Sequence, residues 1–388
     1  MSTREDRREF LASLLAGGCA ACLLSGACGI DPALAQDAAS GASLIPPTDS
    51  DLPLTPARWW KPLDGGRVEC GLCPKKCRVA DMERGMCGVR ENRGGKYWTL
   101  VHSRPCTIHI DPIEKKPFYH VLPGTGSLSL AAPGCNIECR FCQNWQIAQV
   151  RPEQVRTFEL RPGQVVALAR KHRTPTIACT YTEPVVWSEY VQDIGAAAKK
   201  AGVRTLLVSN GFINEEPLRD LLPVLGAVKI DLKSFRDRFY RDVCHGELRP
   251  VLDTLRRLKK HGTWTEIVVL VIPTLNDSRE EFRDLAKFVV NELGPETPVH
   301  FTRFHPSFRL RNLPRTPVRT LEIAHDIARK EGLWFPYVGN VPGHPYNSTY
   351  CPGCGAMVIQ RTGMAVLENR LKNGRCPRCG HEIPGIWS

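Results

Sequence analysis

The sequence predicts an α/β protein built on an open or partial β/α barrel, and two patterns carry that expectation. Apolar or β-branched runs recur at 127–132, 176–181, 203–209, 226–232, 265–272, 299–304 and 333–338. Helix-period segments lie between most of them, at 162–173, 185–201, 215–224, 248–261, 278–292 and 317–331. Short continuous apolar runs separated by helices read as a parallel sheet covered by helices. Three of the helices end on a glycine stop signal, at Ala201-Gly202, His261-Gly262 and Glu331-Gly332. Six or seven such units make a partial barrel, whose chemistry belongs on the loops after the strand C-termini.

The flanking segments follow in chain order. Residues 1–36 read as a leader: Arg7-Arg8-Glu9-Phe10-Leu11 is a twin-arginine pattern, a soft apolar stretch runs from Leu11 to Ile30, and Ala33-Leu34-Ala35 offers a cleavage site. Residues 37–69, rich in Pro, Ser and Asp, read as a linker. A cysteine-rich segment spans 70–125, the barrel 126–340, and a second cysteine-rich segment 341–388.

The composition of the 388 residues is that of a globular protein, with 42% hydrophobic and 24% charged residues, which excludes a disordered chain, a collagen and a coiled coil. The net charge of +12 favours anionic partners without naming one. Cysteine is the outlier, at 17 residues. Most occur as C-x2-C or C-x3-C, too tight for comfortable disulfides and well suited to metal centres.

Setting aside the leader leaves 14 cysteines, 11 of them in three constellations. The first is Cys135-x3-Cys139-x2-Cys142, on the loop after the first barrel strand. Three thiolates there can hold three irons of a cuboidal cluster and leave the fourth iron open, with Phe141 as an apolar cover; a structural zinc site with a remote fourth ligand is the alternative. The second is Cys70-x2-Cys73-x3-Cys77-x9-Cys87. Its spacing departs from the ferredoxin run, so Zn²⁺ and a second Fe-S cluster both stay open, with a structural staple weighed above an electron relay. The third pairs Cys351 and Cys354 with Cys376 and Cys379, two CxxCG knuckles that read as a zinc ribbon holding a structural Zn²⁺. Cys106, Cys179 and Cys244 remain, and Cys179 reads as a small buried hydrophobe. His109 and His120 read as hydrogen-bonded structural residues. The loop from Arg303 to Arg319 holds five arginines, His305 and no acidic residue. Arg303 and His305, at the strand end, are expected to contact cofactor or substrate, whereas Arg311, Arg315 and Arg319 read as a solvated basic stretch.

Ten stretches together resemble one known family: 70-CGLCPKKC, 85-GMCGVREN, 109-HIDPIEKKPFYH, 133-PGCNIECRFCQNWQIAQ, 180-TYTEP, 208-VSNGF, 229-KIDLK, 272-IPTLNDS, 303-RFHP and 337-YVGN. The chain resembles the radical S-adenosylmethionine (SAM) superfamily, and within it the radical SAM enzymes of the AmmeMemoRadiSam system, relatives of the glycyl-radical-enzyme and pyruvate formate-lyase activating enzymes. The resemblance covers about residues 70 to 380 and implies a partial (β/α)6-type radical SAM barrel.

It also implies roles. Cys135, Cys139 and Cys142 would bind a [4Fe-4S] cluster whose open iron SAM chelates. Glu183 would accept hydrogen bonds from the methionyl ammonium; as a bare residue before Pro184 it also reads as a helix N-terminal carboxylate, and both readings can hold. Ser209, Asn210, Asp231 and Lys233 would serve ribose hydroxyls and the SAM carboxylate, against an alternative of ordinary loop capping. Tyr337 to Asn340 would lie against the adenine. The implied chemistry is reductive cleavage of SAM to a 5′-deoxyadenosyl radical for hydrogen abstraction, from a polypeptide as the activase kinship suggests. The implied partners are a flavodoxin or ferredoxin, a protein or peptide substrate, and Memo-like and AMMECR-like proteins. Nucleic-acid modification is the weaker alternative, since no RNA-binding motif is visible, and a non-enzymatic metal scaffold is weaker still. SAM dependence implies cytoplasmic chemistry, whereas the leader suggests export or membrane association.

Overall fold

Eight strands form the central sheet of the computed structural model, which describes residues 54–388. The expected leader and the start of the expected linker lie outside the described residues. The strands are β1 (Thr107–Pro112), β2 (Gly126–Ala131), β3 (Thr176–Cys179), β4 (Arg204–Ser209), β5 (Ala227–Asp231), β6 (Thr265–Val271), β7 (Val299–Arg303) and β8 (Pro336–Gly339). Between β2 and β8 six helices alternate with the strands: α1 (Pro162–Lys171), α2 (Ser188–Lys200), α3 (Glu215–Leu221), α4 (Leu248–His261), α5 (Arg279–Phe288) and α6 (Val318–Lys330). Sheet order follows chain order; β1 runs antiparallel to β2 and every later pair is parallel. β1 and β8 are the two edges of this sheet, so the barrel is open. The seven expected strands and six expected helices are all present; β1 is an additional strand, on the edge of the sheet.

Local chemistry explains the boundaries. Ser278 caps α5 by accepting from the Glu281 N–H at 3.1 Å. Gly262 ends α4 in the left-handed region at φ 79°, a conformation that only glycine reaches at little cost.

The two faces of the sheet differ. Leu130, Ile177, Leu207, Val228, Ile267 and Phe301 face the helices in one continuous core. The other face is mixed: Lys229 lies in register with Glu266, and Asp111 with Ser127, beside the apolar Ala178, Leu206 and Val208. A parallel strand reads as uniformly apolar only when both faces are dry, and here the inner face lines the barrel interior.

The N-terminal ends of the strands are closed by residues 113–122. Ile113, Phe118, Val121 and Leu122 pack on Ala178, Leu206 and Val208. The backbone N–H groups of Tyr119 and His120 donate to the Glu266 carboxylate, which also lies 2.7 Å from His300 Nε2. The C-terminal segment seals this end. Leu122 N–H donates to the Ile386 carbonyl, Ile386 N–H to that of His120, and the buried Arg361 donates to the Tyr119 carbonyl and to Thr349. The C-terminal knuckles therefore sit at the end of the sheet opposite the loops that follow the strands.

Residues 54–69, expected as linker, pair instead. Thr55–Pro56 adds to the hairpin of Arg90–Arg93 and Lys96–Thr99, and Trp60–Pro62 pairs with Val68–Cys70. The tryptophans supply the reason: Trp59 Nε1 donates to Asp220 at 2.9 Å, and Trp59 and Trp60 pack against the main core. A Pro-rich composition hides this pairing in the sequence.

Candidate active site and metal centres

The loop after β2 carries Cys135, Cys139 and Cys142. It is pinned by backbone hydrogen bonds from Glu138 N–H to the Cys244 carbonyl (2.8 Å) and from Arg140 N–H to the Val243 carbonyl (3.0 Å). Phe141 is buried and packs on Phe239. The Cys244 thiol, itself fully buried, stands against Cys139; with Lys233 it holds the Cys139 thiol below its ordinary value against the effect of burial. Burial, with Glu183 nearby, pushes Cys135 up, and burial raises Cys142 to about 11. Spacing gave no signal for Cys244, because only the fold brings it to the loop.

Glu183 stands at the head of the next loop, 2% exposed. Its Oε1 accepts from Ser209 Oγ at 2.7 Å and from Val185 N–H at 3.0 Å, and its Oε2 accepts from Asn210 N–H at 2.7 Å. The Val185 bond is a helix N-cap, so the capping reading of Glu183 holds. Burial raises this carboxyl to about 7, and the three hydrogen bonds only partly oppose it. The Asn210 side-chain NH₂ donates to Asn136 Oδ1 at 2.9 Å and lies 3.9 Å from Cys135 Sγ. Asn210 therefore links the cysteine loop to Glu183 through its own side chain and backbone.

Asp231, at the end of β5, pairs with Lys229 and with Lys233, the latter at 3.0 Å. Burial alone would raise its carboxyl, but the two ammonium groups hold it at about 2. Lys233 reaches both Asp231 and the electrostatic surroundings of Cys139, so the β5 end and the cysteine loop share one cation. Glu183, Ser209, Asn210, Asp231 and Lys233 thus converge on the cysteine loop.

The inner face adds residues that motif spacing does not single out. Asp111 pairs with Lys115 and with the buried Lys116, and the Tyr181 hydroxyl donates to Asp111. Lys116 Nζ lies 4.4 Å from the Tyr181 ring centroid, and Asn144 of the cysteine loop donates to the Tyr181 carbonyl. Tyr181 holds φ 66°, a strained value for a non-glycine residue and a frequent mark of functional segments. The sequence signal is the cluster of charges at Asp111, Glu114, Lys115 and Lys116 and their alternation at Lys229, Asp231 and Lys233.

One expected residue belongs elsewhere. Tyr337 is the second residue of β8 and lies with His120, His300 and Tyr119 at the sealed end. Its hydroxyl pairs with His120 Nε2 at 2.7 Å and Thr349 Oγ1 at 2.9 Å, so it is a packing residue and not an adenine contact. An aromatic residue near a strand end suggests a ring-stacking role, but only the register shows which end of β8 it occupies. Asn340 does stand at the rim, where its side chain accepts from Arg303 N–H at 2.6 Å and donates to the Arg303 carbonyl at 3.0 Å. Arg303 and His305 are half-buried, whereas Arg311, Arg315 and Arg319 are exposed. The same loop is tied to the cysteine loop by Arg309 N–H donating to the Arg140 carbonyl and by stacking of Phe308 on Trp145.

The C-terminal Cys351, Cys354, Cys376 and Cys379 place their ligand atoms within 4.8 Å of one another, a group able to hold a metal ion. Both knuckles use the same turn: Gly355 N–H donates to the Cys351 carbonyl as Gly380 N–H does to that of Cys376. Cys70, Cys73, Cys77 and Cys87 line a cavity of their own, with Asn136 of the first cysteine loop in its wall. Cys179 is buried within β3, as expected.

Comparison with known proteins gives the family. The Radical SAM superfamily profile matches residues 130–289. The uncharacterized protein MJ0808 of Methanocaldococcus jannaschii is 42% identical over 329 residues, spanning 84% of this chain and 98% of that protein. The pyruvate formate-lyase 1-activating enzyme of Escherichia coli is 24% identical over 176 residues, 44% of this chain and 71% of that enzyme. A radical SAM methyltransferase from Sphaerobacter thermophilus matches structurally at a TM-score of 0.46 and 17% identity, covering 74% of this chain and 76% of that one. The chain is an enzyme of α/β architecture with a parallel sheet. It belongs to the radical SAM superfamily, with glycyl-radical-enzyme activases among its relatives.

The donor set fits the cofactors this family implies. Three thiols on one pinned loop suit three irons and leave one coordination position, and Glu183 Oε2, which accepts a single hydrogen bond here, retains a lone pair for an ammonium donor.

Proposed function

We propose that the protein uses SAM and a [4Fe-4S] cluster to abstract hydrogen from a polypeptide, as the radical SAM component of an AmmeMemoRadiSam system. The observation that carries this reading is Asn210, whose backbone N–H donates to the Glu183 carboxylate while its side-chain NH₂ stands 3.9 Å from Cys135 Sγ. When bound, the cluster and SAM supply one-electron reductive cleavage of SAM to a 5′-deoxyadenosyl radical. The chain's own residues then have three tasks. Cys135, Cys139 and Cys142 hold the cluster, with Lys233 offsetting thiolate charge. Glu183 accepts hydrogen bonds from the methionyl ammonium, while Ser209 and Asn210 fix the carboxylate by donating to it. Asp231, Arg303, His305 and Asn340 border the same rim, where ribose, carboxylate and substrate groups approach.

Activating enzymes among the relatives support a polypeptide substrate, and the exposed arginines at 311, 315 and 319 suit an acidic one. A flavodoxin or ferredoxin is the proposed reductant. The C-terminal cysteines hold a structural Zn²⁺, at the end of the sheet away from the chemistry. Anaerobically reconstituted full-length protein, reduced in the presence of SAM, tests the reading. It is expected to form 5′-deoxyadenosine, and a variant with alanine at 135, 139 and 142 is expected to lose both that product and the corresponding iron. Product formation by the triple variant would overturn it.

A further inference from the structure

We propose that Cys70, Cys73, Cys77 and Cys87 hold a second iron–sulfur cluster, a [4Fe-4S] centre sharing a wall with the first cysteine loop, and not a zinc ion. The proposal rests on the radical SAM reading only for the identity of its neighbour.

The first argument is spacing. A zinc ion with Zn–S bonds of about 2.3 Å draws four sulfurs to about 3.8 Å from one another. The C-terminal quartet already shows this, with Cys351 and Cys379 sulfurs 3.6 Å apart and those of Cys354 and Cys376 3.7 Å apart. Among the described residues no other set of three or more cysteine, histidine or acidic ligands gathers as closely. The N-terminal quartet instead surrounds a cavity, and the sulfurs of the Cys135 loop are likewise not drawn together. A cubane of iron and sulfide needs that space between its ligands, and a single ion does not.

The second argument is two unpartnered polar groups. Arg90 and Tyr97 line the same cavity, 0% and 1% exposed. Arg90 uses its terminal nitrogens on Glu189, at 2.9 and 2.8 Å, and on the Arg58 carbonyl, at 2.8 Å, but its Nε–H has no acceptor. The Tyr97 hydroxyl has no partner at hydrogen-bonding geometry either, although the Cys70 thiol stands near enough to interact with it. Leaving such donors buried and unpaired costs about 1–3 kcal/mol each. The inorganic sulfides of a cluster would accept from both, and hydrogen bonds to cluster sulfurs are a known means of tuning potential. A zinc ion brings no acceptor beyond the thiolates.

The third argument is contiguity with the first cysteine loop. Gly134 holds φ +98°, and a Cβ there would stand 2.8 Å from the Cys87 carbonyl oxygen. Asn136 lines the quartet cavity. Both neighbours of Cys135 in the chain therefore touch the second site.

Metal analysis and electron paramagnetic resonance of the full-length protein, purified without oxygen, test the proposal. The wild type is expected to carry about eight irons and about one zinc per chain, and its two reduced clusters to show signals split by their mutual magnetic interaction. The variant with alanine at 135, 139 and 142 is expected to retain about four irons and a reducible [4Fe-4S] signal without the splitting. The reciprocal variant, Cys73→Ala with Cys87→Ala, is expected to lose about four irons and keep its zinc. About two zincs and no iron in the triple variant, or loss of zinc in place of iron from the reciprocal one, would overturn the second cluster. Neither result touches SAM cleavage by the wild type, on which the functional reading stands or falls separately.

Discussion

Asn210 donates its backbone N–H to Glu183 Oε2 at 2.7 Å while its side chain reaches toward Cys135, so one residue at a strand end orients a carboxylate and borders a thiol at once. That carboxylate sits where burial raises it to about 7, far above an ordinary glutamate. Two consequences follow from the sign of the shift. In the cofactor-free protein a raised acid favours the protonated form, so this group contributes stability at low pH that is lost as pH rises from the unfolded value through about 7.

Binding of SAM runs the other way. An ammonium ligand needs the carboxylate, so SAM affinity is expected to rise with pH and level off above about 7. The dissociation constant measured by equilibrium dialysis on cluster-loaded protein should be about tenfold weaker at pH 6 than at pH 8. Glu183→Gln should bind weakly at both values and lose the pH dependence. A wild-type affinity that is flat across this range would remove Glu183 from the ammonium site.

A buried ion pair fastens the N-terminal cysteine segment to the barrel. Arg90 and Glu189 form a two-pronged contact, with side chains 0% and 2% exposed. Such a pair adds little over well-packed apolar residues, but removing one partner strands a buried charge. Glu189→Ala is therefore expected to destabilise the fold by about 3–5 kcal/mol, read as a lowered midpoint in denaturant titration. A change below about 0.5 kcal/mol would mean that water reaches Arg90 readily.

The C-terminal knuckles seal the end of the sheet away from the cysteine loop. Cys376→Ser combined with Cys379→Ser should release zinc and lower the thermal midpoint, because structural metal binding contributes directly to folding. SAM cleavage by the fraction that stays folded should persist. Abolished cleavage in a folded, cluster-loaded variant would assign this region to the chemistry.

The arginine loop divides at its strand end. Arg303 is held by Asn340 and donates through Nε to the Thr316 carbonyl at 3.0 Å, whereas Arg311 and Arg315 are exposed. Arg303→Ala should lower SAM cleavage even without substrate. Arg311→Glu with Arg315→Glu should leave that basal cleavage unchanged and weaken binding of an acidic polypeptide, with the wild-type interaction fading as salt rises from about 50 to 500 mM. Equal loss of basal cleavage in both variants would show that the loop acts as one unit.

What the sequence determines by itself is local or periodic. Apolar runs and helical spacing are set over short stretches, so the seven parallel strands, the six helices and the open barrel are legible in the order of residues alone. The three cysteine constellations are legible for the same reason, since each ligand set lies on one short segment or a pair of knuckles. Tertiary structure decides everything that depends on distant segments meeting. Cys244 reaches Cys139, Lys116 and Asp111 reach Tyr181, and Arg90 and Tyr97 enter the quartet cavity only through folding. Register decides the rest: Tyr337 sits at the sealed end and Asn340 at the open one, three residues apart on the same strand and its following turn. A strand's composition says that it is buried, but only its pairing says which end of the sheet a given side chain occupies.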